Sequence, residues 1–528
     1  MEGSNGEIHQ VNTTTTTSEP EIAIEIEKES WKDSVRRRVK ASFVHKWRKE
    51  PCSIFRVPAN IRKLHPEAYE PRVVSIGPYH HGKAHLEPME KHKWRIVGRL
   101  LSRRSEEEDV LLGECLDKVK ELEERARSCY SEVMSMNSND FTEMMVLDGC
   151  FLIGVLLRER SETINKKNEN KETMTVEDDW AWDEQKDEEE ERGAMHSSLW
   201  LLDHVDHDLL RVENQMPFFV VEALFDLLVP QPDGRPTASI YDLAMNLLNR
   251  FEPSDTYDAT LKNPKSVHHL FHLYYEMVVG YNDSDDDTEK SSVSSVQERI
   301  NLIDRGFSKI KKTTQGFLLH LRDAIPISFP RNKDSVREEK EWSSSWIKSA
   351  KELEEAGVKF VVKKDASFLD LSFEGGVMKF PTLYIYEHTT ILFRNLIAFE
   401  QCYLYTKDHI ALYAMFMDCL IDTPTDVKVL QREEILRVGI SSEKEVAQFF
   451  NNLNREVYFD NNNSYLGDMI VDVNRYCNSK THKWRAVLAR DYFNSPWTVI
   501  SVVAAFILLG LTLLQTFYTL YAYYHPPS

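Results

Sequence analysis

Trp497-Thr-Val-Ile-Ser-Val-Val-Ala-Ala-Phe-Ile-Leu-Leu-Gly-Leu-Thr-Leu-Leu-Gln-Thr-Phe-Tyr518 runs for 22 residues without a charge. As a helix rising about 1.5 Å per residue it reaches about 33 Å, enough for a hydrocarbon core of about 30 Å. Trp497 marks one boundary, and Tyr518, Tyr521, Tyr523 and Tyr524 the other, where an interfacial aromatic belt belongs. Gln515 falls near that second interface. Buried helices of globular cores seldom stay uncharged this long, so the stretch is expected to be a transmembrane helix. Lys480, Lys483, Arg485 and Arg490 precede it and only His525 and neutral residues follow. The positive-inside rule then predicts a cytosolic body, C-terminally anchored in the plasma membrane or an endomembrane, with 519–528 as a short tail. The opening residues have neither a basic n-region nor an apolar h-region, so no signal peptide is expected.

The rest of the 528 residues reads as globular. Hydrophobic residues make up 42% and aromatics 11%, which excludes whole-chain disorder and collagen-like repeats. Acidic residues outnumber Lys and Arg 85 to 65, a net charge of −20, which speaks against a nucleic-acid partner. Much of that excess is local: Glu177 to Arg192 holds ten acids and two bases. The segments 160–196 and 282–297 are therefore predicted to be disordered acidic loops, and 1–50 a disordered segment ending in the basic stretch around Arg36 to Lys49. Seven cysteines (52, 115, 129, 150, 402, 419, 477) form no C-x-x-C pair and read as reduced thiols.

Residues 51–490 are expected to form one large helical domain. Leu116, Val119, Leu122 and Ala126 recur at helical spacing, as do Val220, Leu224, Leu227 and Leu228. Ser442 with Glu445 predicts a capping box, and Thr423-Pro424 opens another helix. Met144 to Leu157 is a second apolar run, but its 14 residues include Asp148, Gly149 and Gly154, which predicts a buried core helix. Val358–Val362, Ser367–Phe373, Val377–Phe380 and Leu383–Tyr386 read as strands, with Gly375-Gly376 as a hairpin turn. The expected fold class is mainly α with a small antiparallel β-sheet.

Four places carry residue types capable of chemistry. Gly77-Pro-Tyr-His-His-Gly82-Lys83 fits the phosphate-cradling G-x-x-x-x-G-K, but Ala84 stands where Ser or Thr would hold magnesium, and Pro78 removes a cradling amide. A rigid aromatic turn accounts for it better. His80, His81, His85 and His92 cluster in one segment; His204 and His207 lie beside Asp203, Asp206 and Asp208. The i,i+3 histidines share a helical face, yet no third ligand has a recognisable spacing. Cys150 sits in an apolar helix, where a thiol is packing, and no G-x-S-x-G elbow occurs. In Glu213-Asn-Gln-Met-Pro-Phe-Phe219 the polar side chains are expected to cap the helix that Pro217 begins. The sequence thus predicts no enzyme, no catalytic, cofactor or metal residues and no cofactor. An enzyme or a nucleotide- or metal-binding protein is the first alternative. An extracytoplasmic recognition receptor, which the sequons at Asn12, Asn282 and Asn462 would permit, is the second.

Several segments carry a family resemblance. Cys52–Pro58, Tyr69–Gly82, Met89–Trp94, Met145–Phe151, Glu213–Phe219, Ala350–Phe360, Arg394–Glu400, Phe416–Leu420, Tyr476–Ser479 and Arg490–Trp497 resemble the plant domain of unknown function 247 proteins. The resemblance implies a plant protein attached to membrane by a C-terminal helix, without an established enzymatic activity. Some grass members are associated with self-incompatibility, so it also implies unidentified protein partners in recognition or signalling.

Overall fold

The computed structural model describes residues 52–102, 108–168, 199–229, 238–251, 267–280, 346–364, 366–439, 442–458, 464–479 and 496–524, with Trp31, Asp33, Val35 and Arg36 near the start. The chain divides into two units, Met1–Cys52 and Ser53–Ser528. In the first, Trp31, Asp33, Val35 and Arg36 are helical, and Arg36 Nη1 donates to Asp33 Oδ1 at 3.2 Å. The other residues of 1–50, and residues 169–196 and 282–297 of the two segments expected to be acidic loops, lie outside the described residues.

The second unit is mainly α. Its first half contains α1 (Glu87–Ser102), α2 (Glu108–Ser128), α3 (Ser138–Asn168), α4 (Leu199–Leu209), α5 (Phe218–Leu228), α6 (Ile240–Leu248) and α7 (Leu270–Val279). The second half contains α8 (Ala350–Ala356), α9 (Glu387–Cys402), α10 (His409–Leu420), α11 (Pro424–Arg432), α12 (Glu443–Leu453) and α13 (Gly467–Asn478); α14 (Pro496–Tyr524) follows. The apolar run Met144–Leu157 is the buried middle of α3, against which α1, α2, α5 and α6 pack. Its two glycines mark the closest approaches. A Cβ at Gly149 would lie 2.5 Å from Leu224 Cδ1, and one at Gly154 2.6 Å from Ile96 Cγ2. α3 also corrects the expected loop boundary at Arg160, since the helix continues to Asn168. The Glu, Arg and Lys residues there are good helix formers, and local propensity overrides the polar composition.

The sheet is small, as expected, but mixed rather than antiparallel. β2 (Ser372–Glu374) and β3 (Val377–Phe380) form the hairpin, with Gly375 and Gly376 at φ +58° and +86°, the paired positive values of a type I′ turn. β1 (Lys359–Val362) joins the other edge of β3 in parallel, Lys359 opposite Val377. β4 (Leu383–Ile385) leaves this sheet and pairs in parallel with β5 (Leu436–Val438), a strand the sequence reading missed. Pro381 and Thr382 follow β3 where a hairpin would need a tight turn, so the chain runs on to a new partner. α13 docks on the hairpin through Tyr476, whose ring packs edge-on against Phe373 and lies over Gly376.

Both predicted caps are present. Glu445 N–H donates to Ser442 Oγ at 3.3 Å and Ser442 N–H to Glu445 Oε2 at 2.9 Å, which seats Val446, Phe449, Phe450 and Leu453 of α12 in the core. At Thr423 the amide donates to Asp426 Oδ2 at 2.8 Å, while Asp426 Oδ1 accepts Lys351 N–H at 2.8 Å and ties α11 to the start of α8. α14 contains an apolar window, Val503–Tyr521, long enough to cross a membrane; none of it is buried, so it is not a core helix. The window reaches three residues past the expected end at Tyr518.

Replacing Ser442 by Ala is expected to cost about 1 kcal/mol in thermal or denaturant unfolding of the detergent-solubilised chain, while Ser442→Asp retains nearly full stability.

Candidate functional site

Residues 210–217 link α4 to α5 as irregular, buried backbone, with Asp208 in the last turn of α4 just before them. Such a segment must find partners for its own amides and for its polar side chains. The partner is the extended stretch Arg72–Gly77, which belongs to no sheet. The Asp208 carboxylate accepts the N–H groups of Arg72 (2.9 Å), Val73 (2.6 Å) and Val74 (3.0 Å). Asn214 continues the pairing like a strand neighbour: Oδ1 accepts Ile76 N–H at 2.7 Å, and Nδ2 donates to Val74 O at 3.0 Å. Gly77 N–H then donates to Asp148 Oδ2 at 2.8 Å, and Lys93 Nζ donates to Ser75 O at 2.6 Å and Asp148 Oδ1 at 2.5 Å.

Gln215 reaches the other way. Its Nε2 donates to Leu209 O and Arg211 O, and its Oε1 accepts Phe271 N–H at 3.0 Å in the first turn of α7. The expected capping is therefore corrected: Pro217 receives no side-chain bond at the start of α5, and Gln215 caps α7 instead. Arg211, wholly buried, pairs with Asp208 at 2.9 Å and donates to Glu67 O and Ala68 O. Asn395 of α9 donates to Ala68 O and accepts Val212 N–H at 3.0 Å.

Glu213 is the most heavily charged point. It is buried, accepts Val57 N–H at 2.6 Å, and faces Arg62, Arg56 Nη1 at 3.3 Å and His80 Nε2 at 3.4 Å. Burial pushes its carboxyl up, but the bonds from His80, Arg62 and Val57 outweigh this and hold it below the ordinary value. His80 moves below its usual range because burial disfavours the imidazolium. Arg62 and Arg56 thus meet one carboxylate from two sides and fix the opening of the domain to the α4–α5 link.

This geometry decides the glycine-rich loop. Gly77 spends its amide on Asp148, and Lys83 pairs with the Glu70 carboxylate at 3.3 Å. Residues 78–86 are turns with no regular helix until Glu87. The start of the loop and the Glu213 motif, read separately in the sequence, are two parts of one assembly, with Gly77, Tyr79 and His80 buried in it and His81, Gly82 and Ala84 exposed. His85 joins it through Pro71 O at 3.1 Å.

His204 and His207 share a face of α4 with Asp203, whose carboxylate lies 3.3 Å from His207 Nδ1 and 3.9 Å from His204 Nδ1. The sequence reading missed His388, which stacks on His207 at 4.8 Å between ring centroids. Burial lowers His207 to about 4, with His388 and His204 adding to the effect and Asp203 opposing it, so the stack is neutral near pH 7. Parallel rings do not converge on one point, and among the described residues no group of three or more His, Cys, Asp or Glu is arranged to hold a metal ion. Cys150 is buried packing, its thiol pushed up by desolvation. Also missed was Glu400, whose carboxylate accepts Ile410 and Ala411 N–H at 2.9 and 2.8 Å in the first turn of α10, and Tyr275 OH at 3.0 Å. Burial raises it to about 8. A lone acid in the apolar Asn395–Phe399 context was the available signal.

The comparisons with known proteins place the chain in a family. The sequence profile described as "plant protein of unknown function", DUF247, matches residues 54–511, and the chain belongs to that family. It is 30% identical to the UPF0481 protein At3g47200 of Arabidopsis thaliana over 486 residues, covering 90% of this chain and 87% of that one. A second Arabidopsis thaliana UPF0481 protein, At3g02645, is 23% identical over 522 residues, 88% of this chain and 89% of the relative. No solved structure matches.

Two substitutions test the assembly. Gly77 has φ +74°, and an added Cβ would lie 2.3 Å from Gln215 O and 2.8 Å from Tyr130 Oη. Gly77→Ala should therefore cost at least about 2 kcal/mol, whereas Gly82→Ala, with φ +77° but open space, should cost only the backbone term of about 1–2 kcal/mol. Glu400 carries the pH signature. An acid raised from 4.5 to about 8 favours the fold while protonated, so its contribution is full below about pH 4.5 and is lost as pH rises to about 8. Thermal unfolding of the wild type should lose stability across that window, and Glu400→Gln should flatten this part of the profile.

Proposed function

We propose that this chain is a single-pass, C-terminally anchored, non-catalytic plant protein that presents its helical body to cytosolic protein partners in recognition or signalling. The observation that carries the reading is α14, whose Val503–Tyr521 window is apolar and wholly exposed, a state that water disfavours over so large a surface. The polar motifs of the body support a binding scaffold over a catalyst. Asp208, Glu213, Asn214 and Gln215 are each engaged with the chain's own backbone or charges. The basic residues Lys480, Lys483, Arg485 and Arg490 ahead of α14 support a cytosolic body. The net charge of −20 supports protein rather than nucleic-acid partners.

Protease protection in sealed microsomes tests the topology, with one tag before Cys52 and another after Pro527. The expected result is digestion of the first tag and protection of the second. Protection of the first would reverse the orientation and favour a cell-surface recognition domain. Substrate turnover by the purified full chain that a single substitution abolishes would overturn the non-catalytic reading.

A further inference from the structure

The three-stranded sheet ends at β1. In the order β1-β3-β2, β1 has a neighbour on one side, and among the described residues no strand pairs with the other. Lys359 N–H donates to Gly376 O at 2.9 Å and Lys363 N–H to Phe380 O at 2.6 Å, so the odd-numbered residues of β1 bond to β3. In a parallel ladder the intervening residues then turn their N–H and C=O groups outwards. Those of Phe360 and Val362 meet no hydrogen-bond partner along that outer edge among the described residues. Each presents a donor and an acceptor on an open edge, the arrangement to which an extended peptide adds as a further strand.

The side chains around this edge are basic. On the outer face of the sheet Lys359 lies opposite Val377 and Val361 opposite Lys379, with Lys363 next along β1. Val361 is 43% exposed, an aliphatic side chain among cations. Lys363 pairs with Asp370 at 2.5 Å, but Lys359, Lys364 and Lys379 are exposed and meet no acid at ion-pair distance among the described residues. Glu374, an acid on the same face, is on β2 at the far edge of the sheet. In a chain of net charge −20 such a patch is the exception. Lysines also guard edge strands against chance pairing. That role fits Lys359 and Lys363 but not Lys379, which is on the central strand, where there is no edge to guard.

We propose that the outer edge of β1 is a docking site for a protein partner that adds an extended strand of alternating acidic and aliphatic residues. The alternation follows from the two faces of the sheet, because side chains of an added strand point to them by turns. On the outer face they lie beside Lys359 and Lys363, with Lys379 one strand further in, where carboxylates are favoured. On the inner face they lie beside Phe360, in the core, and Val362, packed against it, where aliphatic side chains are favoured. A second copy of this chain does not fit. Antiparallel pairing of two β1 edges about Val361 sets Lys359 opposite Lys363, and like charges directly opposite repel. This inference rests on the reading of the helical body as a surface for protein partners, and deepens it.

The test uses the detergent-solubilised full chain and a fluorescein-labelled peptide, Asp-Val-Asp-Val-Asp-Val, read by fluorescence anisotropy. The wild type should bind it, and should not bind the same composition arranged as Asp-Asp-Asp-Val-Val-Val. Lys359→Glu with Lys379→Glu should weaken binding about tenfold. Val362→Pro removes an outward N–H and spares the bonds to β3, so it should abolish binding while melting close to the wild type. Should that variant fail to fold, the lysine pair and the rearranged peptide still decide the matter. Wild type that binds neither peptide overturns the site, as does wild type that binds both alike or a folded Val362→Pro that binds normally. A dimer in detergent that Val362→Pro dissociates gives the edge to a second copy and overturns the acidic partner. Peptide binding in detergent does not depend on which side of a membrane the body faces. Its absence therefore overturns the edge alone, whereas protection of the first tag in microsomes overturns the topology alone.

Discussion

The structure depends on how one extended, sheetless strip of backbone is satisfied in the core. Arg72 to Gly77 runs through the interior with no neighbouring strand, so its N–H groups would be stranded without the Asp208, Asn214 and Asp148 side chains. Each buried unpaired donor costs about 1–3 kcal/mol, and five amides are matched here, those of Val74, Ile76 and Gly77 buried and those of Arg72 and Val73 partly so. Three side chains, Asp148 of α3, Asp208 at the end of α4 and Asn214 of the link that follows, therefore do what a strand would otherwise do. The same link carries Gln215 to α7 and Arg211 to the segment around Ala68, so the α4–α5 connection is held from four directions.

The charges buried with it are all compensated. Lys93 meets Asp148, Arg211 meets Asp208, and Glu213 meets two arginines. Such pairs add little net stability over apolar residues of equal size, but removing one partner leaves an uncompensated charge. Glu400 is the contrasting case, a carboxyl held by backbone amides and a phenol, with no cation in contact among the described residues.

Local signals in the sequence were legible and long-range ones were not. Ser442 with Glu445, Thr423-Pro424 and Gly375-Gly376 act through neighbours within a few residues, and each lies where its chemistry predicts. Met144 to Leu157 was readable as core because 14 residues are too few to span a bilayer and Asp148 would face lipid. The pairing of Gly77 with Gln215, or of Asn395 with Ala68, leaves no periodicity to read. Gln215 looked like a cap and is one, but for a helix that begins more than fifty residues later, and no spacing rule points there. β5 escaped notice because three residues with one buried side chain form no pattern, and its partner β4 is set by the path of the chain after Pro381.

The Asn395 amide has a consequence for how the chain is made. It bonds Ala68 O and Val212 N–H, so the backbone near residue 68 is completed by a side chain that leaves the ribosome more than three hundred residues later. At about 5–20 residues per second that is a wait of tens of seconds. During it the Arg72–Gly77 strip can find Asp208 and Asn214 first, and α9 afterwards closes over an assembly already half formed. Until that amide emerges, Ala68 O has only the Arg211 guanidinium and Val212 N–H lacks its acceptor, so this corner of the core is the last part of the assembly to be completed during synthesis.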